Sequence, residues 1–288
     1  MTGIIYKSIG GFYYVKSSDG ILVECKPRGL FRKAEIKPVA GDRVQLAQDA
    51  GTWYINDVLP RNNVFIRPPV ANVDVFFIVA SMVQPAPNYL VLDKLSAIAV
   101  ESGATPVVVV TKADLASPQA FLQAYETSGM EVLQVNAKSG AGTEALAARI
   151  AGKLCVFCGN SGVGKSTLLN VLLPAARRET APISQKLGRG RHTTREVEIF
   201  ETAGGLVADT PGFSSLDLQQ VMPIAKENLA FAFPEMAGLI AQCRFSNCAH
   251  LSEVGCAVRQ ALAEGKISQS RYNSYAALYR EAKENERY

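Results

Sequence analysis

Apolar positions in this chain follow three successive patterns. Between Phe12 and Ile55 they come in short runs: Phe12-Tyr13-Tyr14-Val15-Lys16, Ile21-Leu22-Val23-Glu24-Cys25, Gly41-Asp42-Arg43-Val44-Gln45-Leu46 and Trp53-Tyr54-Ile55. Ser17-Ser18-Asp19-Gly20 joins the first two and is a hairpin-turn sequence. Short strands at this spacing predict a small barrel of OB type. From Val73 onward the runs become continuous: Val73–Val79, Pro106–Val110, Glu131–Val135, Leu154–Cys158 and Gly205–Ala208. Helical spacing lies between them at Leu90–Val100 (Leu92, Leu95, Ala99), Ser117–Ser128 and Thr143–Ile150. Strands alternating with helices predict a mostly parallel, three-layer α/β unit. After Pro223 the composition changes again. Tyr272, Tyr275, Ala276 and Tyr279 fall on one face of a terminal helix and read as a packing face. The expected domains are therefore 1–68, 69–222 and 223–288.

At 288 residues with 48% apolar and 19% charged content, the chain can bury real cores and is not disordered in bulk. Its apolar runs are far too short to span a bilayer. Met1–Lys7 has no leader-type apolar stretch, so a cytoplasmic location with reduced thiols is expected. The net charge of +4 is carried by residues 1–68, which hold ten Lys and Arg against six Asp and Glu. Within that segment Lys26, Arg28, Arg32, Lys33 and Lys37 cluster against Glu35 alone. A basic loop on a small barrel beside aromatic residues fits RNA binding. A solvated surface loop has the same charge signature.

Gly159-Asn160-Ser161-Gly162-Val163-Gly164-Lys165-Ser166 is a complete phosphate-binding loop, preceded by the Leu154–Cys158 strand and followed from Thr167 by a helix start. Its glycines let backbone N–H groups converge on phosphate oxygens, and the helix N-terminus favours negative charge. Lys165 is placed to reach the β- and γ-phosphates, and the Ser166 hydroxyl to hold Mg²⁺. Cys155 and Cys158 lie in the preceding strand and read as core packing.

Thr111-Lys112-Ala113-Asp114 follows the Pro106–Val110 strand. An Asp there can accept from N1–H and the 2-amino group of guanine, a donor pair that adenine lacks. The Lys112 stem can lie along the base plane. Asn136-Ala137-Lys138 ends the next strand and resembles the Ser-Ala-Lys segment through which GTPases contact guanine O6, with Asn136 in place of Ser. Asp209-Thr210-Pro211-Gly212 resembles the DxxG segment, whose Asp holds Mg²⁺ through water and whose Gly N–H touches the γ-phosphate. Arg177–Arg195 is strongly basic and nearly devoid of apolar residues. Such a segment is expected to order only on binding, with Thr193 or Thr194 closing on Mg²⁺ and the γ-phosphate. Beside them His192 is a candidate for orienting water, with RNA contact as its other reading. Lys165, His192, Thr193 and Thr194 are thus the candidate catalytic residues. Phe213 occupies the position after Gly212 where Ras-like enzymes carry a water-positioning Gln, so slow intrinsic turnover is expected.

Cys243, Cys248, His250 and Cys256 supply three thiolates and an imidazole within a 14-residue stretch. Four such ligands suit a tetrahedral, structural Zn²⁺ with no open position.

The order of these pieces is base-reading segments first, then phosphate loop, Gly190-Arg191-His192-Thr193-Thr194, Asp209-Thr210-Pro211-Gly212-Phe213 and the Cys/His cluster. This order resembles the RsgA/YjeQ family of circularly permuted GTPases along essentially the whole chain. The resemblance implies a permuted Ras-like GTPase domain between an OB-type barrel and a zinc-binding helical domain. It also implies Mg²⁺-dependent hydrolysis of GTP to GDP and phosphate, stimulated by the 30S ribosomal subunit, with rRNA contact during late subunit maturation. A monomer with no membrane partner is expected. An RNA-binding assembly protein switched by GTP, with hydrolysis secondary, is the alternative.

Overall fold

The computed structural model describes residues 1–28, 36–66, 68–173, 197–209 and 224–286. The chain forms two compact units and passes repeatedly between them: Met1–Asp74, Ala147–Phe157 and Leu169–Phe213 make one, and Val75–Leu146, Cys158–Leu168 and Ser214–Tyr288 the other.

In the first unit, β1 (Thr2–Ile9), β2 (Phe12–Ser17), β3 (Leu22–Pro27), β4 (Arg43–Asp49) and β5 (Thr52–Val58) lie in the order β1-β2-β3-β5-β4, and β4 returns to pair with β1. This closes the five-stranded barrel expected from the short runs. Alternation places Ile5, Tyr13, Val15, Cys25, Val44, Leu46 and Ile55 in its interior. Burial pushes the Cys25 thiol up to about 11. The β2–β3 turn forms at Ser17–Gly20, where Gly20 has φ +84°. Asp42, fully buried, accepts from the Val39 N–H and from both Nε and a terminal nitrogen of Arg61, and so pins the chain as it enters β4.

Strand β1 does two jobs. Thr2–Ile4 pair with β4, whereas Lys7 lies opposite Glu198 of a strand from much later in the chain. A register shift against β2 between Ile5 and Lys7 bends β1 from one partner to the other. The opening residues Met1–Lys7, read in the sequence only for the lack of a leader, thus belong to a strand from Thr2 onward. After the barrel, β6 (Val64–Ile66) and β7 (Pro69–Ala71) form a two-stranded hairpin. The sheet continues from β1 through β12 (Glu198–Thr202) and β13 (Gly205–Asp209) to β11 (Leu154–Cys158). The β12–β13 turn at Ala203-Gly204 has positive φ at both residues, a geometry that matches strand twist. Pairing of β13 with β11 is parallel.

In the second unit, β8 (Val75–Ser81), β9 (Thr105–Thr111) and β10 (Glu131–Gln134) are parallel in the order β10-β9-β8. Every residue of β8 is buried, which explains its unbroken apolar run. The crossovers are α1 (Tyr89–Glu101) and α2 (Gln119–Tyr125), and α3 (Thr143–Ile150) follows β10. The phosphate loop then leads from β11 into α4 (Lys165–Leu172). The C-terminal region contains α5 (Lys226–Leu229), α6 (Pro234–Ala237), α7 (Ala257–Ala263) and the long α8 (Gln269–Asn285). Leu229, Phe233, Met236, Val258, Ile267, Tyr275 and Leu278 form its core together with Ala97 of α1. The expected tyrosine face is therefore a packing face. No described helix is long and apolar enough to cross a membrane.

Candidate functional site

Parallel strands deliver their carboxyl ends to one edge, where the loops after β8, β9 and β10 emerge. Thr111 is the last residue of β9 and is buried. Its hydroxyl donates to the carbonyl oxygen of Val163 in the phosphate loop at 2.7 Å and lies 3.3 Å from that of Ala80. Threonine here ties the Thr111–Asp114 segment directly to the glycine-rich loop. Lys112 adopts φ +57°, and its Nζ donates to the carbonyls of Gln84 at 2.8 Å and Gly162 at 3.0 Å. The strained backbone of Lys112 and the two carbonyls hold its stem at the loop. Asp114 is exposed, and no protein donor pairs with its carboxylate among the described residues. Ala113 precedes it, partly covered.

Within the loop, Gly159 has φ +131°, and a Cβ there would sit 2.5 Å from the carbonyl oxygen of Val79. No side chain fits. Gly162 and Gly164 also have positive φ, so the backbone turns its N–H groups where ordinary residues could not. Lys165 Nζ donates to the carbonyls of Gly159 at 2.7 Å and Asn160 at 2.8 Å, arching over the loop. Burial lowers its pKa, and phosphate oxygens would favour the charged form. Ser161, Ser166 and Thr167 are exposed, the last two in the first turn of α4. The loop can therefore offer backbone donors, an ammonium and a metal-binding hydroxyl to a polyphosphate. Cys155 and Cys158 are buried with thiols pushed up to about 12, consistent with core packing.

Asn136, Ala137 and Lys138 form a turn just past β10, with the Asn136 side chain bonded inside it. Asp209 closes β13 directly opposite Glu198. Its side chain reaches solvent but is crowded; desolvation, and then the Glu198 carboxylate, raise its pKa. Gly212, His192, Thr193 and Thr194 lie outside the described residues, as do Arg32 and Lys33 of the basic cluster. Of that cluster, Lys26 stands 5.6 Å from the Phe12 ring centroid, Arg28 5.7 Å from that of Tyr54, and Lys37 is exposed. Two residues escaped the sequence reading: Gln84, which holds Lys112, and Pro85, whose Cδ would meet a Cβ on Gly162 at 3.5 Å. Their signal was the turn-forming Gln84-Pro85-Ala86-Pro87-Asn88, separated by two residues from the end of the buried strand β8.

The metal-type residues converge. The ligand atoms of Cys243, Cys248, His250 and Cys256 all lie within 4.8 Å of one another. His250 Nδ1 is 3.5 Å from Cys243 Sγ and 3.4 Å from Cys256 Sγ. Ligands around a tetrahedral zinc are separated by roughly 3.5–3.8 Å, so the donor set fits that ion in number, softness and spacing. The knuckle is built around it. His250 takes φ +58°, and the Tyr272 and Tyr275 hydroxyls donate to the carbonyls of His250 and Ala249. The Glu253 carboxylate accepts from the N–H groups of Ala249, Leu251 and Ser252.

Comparison with known proteins agrees with this geometry. Residues 58–219 match the RsgA GTPase family and residues 2–53 the RsgA N-terminal domain. The small ribosomal subunit biogenesis GTPase RsgA of Bacillus velezensis is 41% identical, covering 98% of this chain and 97% of its own. Its namesake from Clostridium beijerinckii is 40% identical over 100% of this chain and 99% of its own. The crystal structure of YjeQ from Thermotoga maritima superposes with a TM-score of 0.84 at 32% identity, over 98% of both chains. That of YloQ, a circularly permuted GTPase, gives 0.80 at 34% identity, over 99% of this chain and 95% of its own. With its nucleotide segments in permuted order and its likeness running from end to end, this chain belongs to the RsgA family of GTPases.

Proposed function

We propose that this GTPase binds the small (30S) ribosomal subunit and hydrolyses GTP to GDP and phosphate during late subunit maturation. The observation that carries the nucleotide reading is the bond from Thr111 to Val163, which joins a guanine-type segment to a phosphate loop. Asp114 accepts from guanine N1–H and the 2-amino group, and Lys112 covers the base. Gly159–Gly164 donate N–H groups to the phosphates, with Lys165 between the β- and γ-oxygens. Ser166, one of Thr193 or Thr194, and Asp209 would hold Mg²⁺. That ion, when bound, neutralises charge developing on the transferred phosphoryl group. Gly212 contacts the γ-phosphate and His192 orients the water.

The ribosomal partner is supported by the names of relatives at about 40% identity over full length. The exposed cations Lys26 and Arg28 beside Phe12 and Tyr54, with Arg32, Lys33 and Lys37, form the proposed rRNA-facing surface of the barrel. Three functional segments, 1–68, 69–222 and 223–288, then serve RNA contact, hydrolysis and a zinc-stapled module. The protein works in the cytoplasm as a monomer. Turnover measured with and without purified 30S subunits tests the proposal: strong stimulation is expected. Tight GTP-dependent binding without stimulation would instead favour a switched RNA-binding protein, a reading to which Phe213, in place of a water-positioning Gln, gives some weight.

A further inference from the structure

Three charged residues stand in a row across three neighbouring strands of the first unit. Lys7 of β1 lies opposite Glu198 of β12, and Glu198 in turn lies opposite Asp209 of β13. Directly opposed residues project to the same face of a sheet, so the row reads cation, anion, anion. Its first pair is closed: Lys7 Nζ donates to Glu198 Oε2 at 3.1 Å, with the two side chains 28% and 41% exposed. Glu201, further along β12, is taken by Lys16 and Tyr6 and does not compete for Lys7. The second pair is open. Among the described residues no cation pairs with Asp209, a crowded carboxylate that feels desolvation first and the Glu198 charge second. Two neighbouring carboxylates, only one of them matched by a protein cation, are a donor set that fits a divalent, oxygen-seeking ion.

We propose that Lys7 and Glu198 are positioning residues for the magnesium site: Lys7, from the barrel, holds the Glu198 carboxylate back and so sets how much negative charge stands beside Asp209. The proposal deepens the reading of Asp209 as a magnesium acid and rests on it. Spacing decides the route of the effect. Neighbouring strands lie about 5 Å apart, so Glu198 acts from one strand away, whereas Lys7 stands about 10 Å from Asp209. That exceeds the Debye length of about 8 Å at physiological salt, so the ammonium's own field on the metal is screened and its influence passes through Glu198. Lys7 belongs to the strand shared by barrel and sheet, and through it the barrel takes part in the metal site.

The test is the magnesium dependence of nucleotide retention in the full chain, read as the release rate of a fluorescent, non-hydrolysable GTP analogue across a magnesium chloride titration. Lys7→Met should lower the magnesium midpoint by about two- to fivefold, the range of a half-exposed ion pair, because Glu198 is released towards the site. Glu198→Gln should raise the midpoint by a similar factor of about two to five. The double variant should match Glu198→Gln within about 1.5-fold, and Lys7→Arg should keep the parent midpoint. Release in the absence of magnesium should be the same in all of them. A shift there would assign the effects to general structure and overturn the proposal. An equal effect of Lys7→Met in both backgrounds, or none in the parent, would overturn it as well. If Asp209→Asn left the magnesium midpoint in place, the reading of Asp209 as a metal acid would fall instead.

Discussion

Arg271 of α8 places a terminal guanidinium nitrogen 2.6 Å from a carboxylate oxygen of Asp93 on α1, with the Arg271 side chain 1% and the Asp93 side chain 0% exposed. The guanidinium also makes a two-pronged pair with Glu235, at 2.7 and 3.1 Å, and lies 4.5 Å from the Phe233 ring centroid. Burial opposes its charge, but Asp93 and Glu235 hold it firmly protonated. The Tyr125 hydroxyl donates to the same Asp93 oxygen at 2.8 Å. Removing the cation strands two enclosed carboxylates. Arg271→Met should therefore cost about 3–5 kcal/mol in chemical denaturation. A loss under 1 kcal/mol would mean that the pair is far wetter than its burial indicates.

Thr111→Val removes only the hydroxyl that holds the Val163 carbonyl. Nucleotide affinity should fall by roughly three- to tenfold, as expected for one neutral hydrogen bond, and Thr111→Ser should keep most of it. Titration calorimetry with GDP reads both. Equal behaviour of the Val and Ser variants would assign the effect to packing.

At Gly159 the obstacle is the Val79 carbonyl rather than a movable side chain. Gly159→Ala should reduce GDP binding by at least about tenfold while thermal unfolding stays cooperative, because the loop must shift to admit the methyl group. Full affinity in that variant would show that the loop can relocate.

Metal content should be one zinc per chain by atomic emission. Chelation should lower the unfolding midpoint, and Cys248→Ser should do the same without a chelator. Acid acts in the same direction. Metal binding requires deprotonated thiols, so retention falls as pH falls. Glu253 adds a second term. Partial burial alone would raise its carboxyl, but the backbone donors outweigh this and hold it below the usual range. Its contribution is then present above the unfolded-state value and lost as pH drops through the folded one. Glu253→Gln should flatten that acid limb.

The chemistry was legible where it is local in sequence. The phosphate loop, Thr111–Asp114 and the Cys/His cluster each depend on a fixed spacing, and the structure gathers the cluster and binds Thr111 and Lys112 to the loop. Continuous apolar runs marked β8 and β9 because both faces of those strands are covered. What escaped depends on distant partners. Thr2–Ile9 and Glu198–Thr202 are strands of mixed polarity whose polar side chains meet each other: Lys7 pairs with Glu198, and the Tyr6 hydroxyl donates to Glu201, which also takes Lys16 of β2. No periodicity within either segment announces such a pairing. Gln84 escaped for a different reason: only its backbone carbonyl takes part, so the turn-forming sequence around it was the sole signal and its side chain gave none.

The bent strand β1 has one more consequence. Because its later half shields a flank of β12, cutting the chain after the barrel would not free an autonomous catalytic fragment. It would bare a row of amide and carbonyl groups ready to seize another chain, and the truncated protein should self-associate on that seam. The small barrel thus doubles as a built-in guard against aggregation.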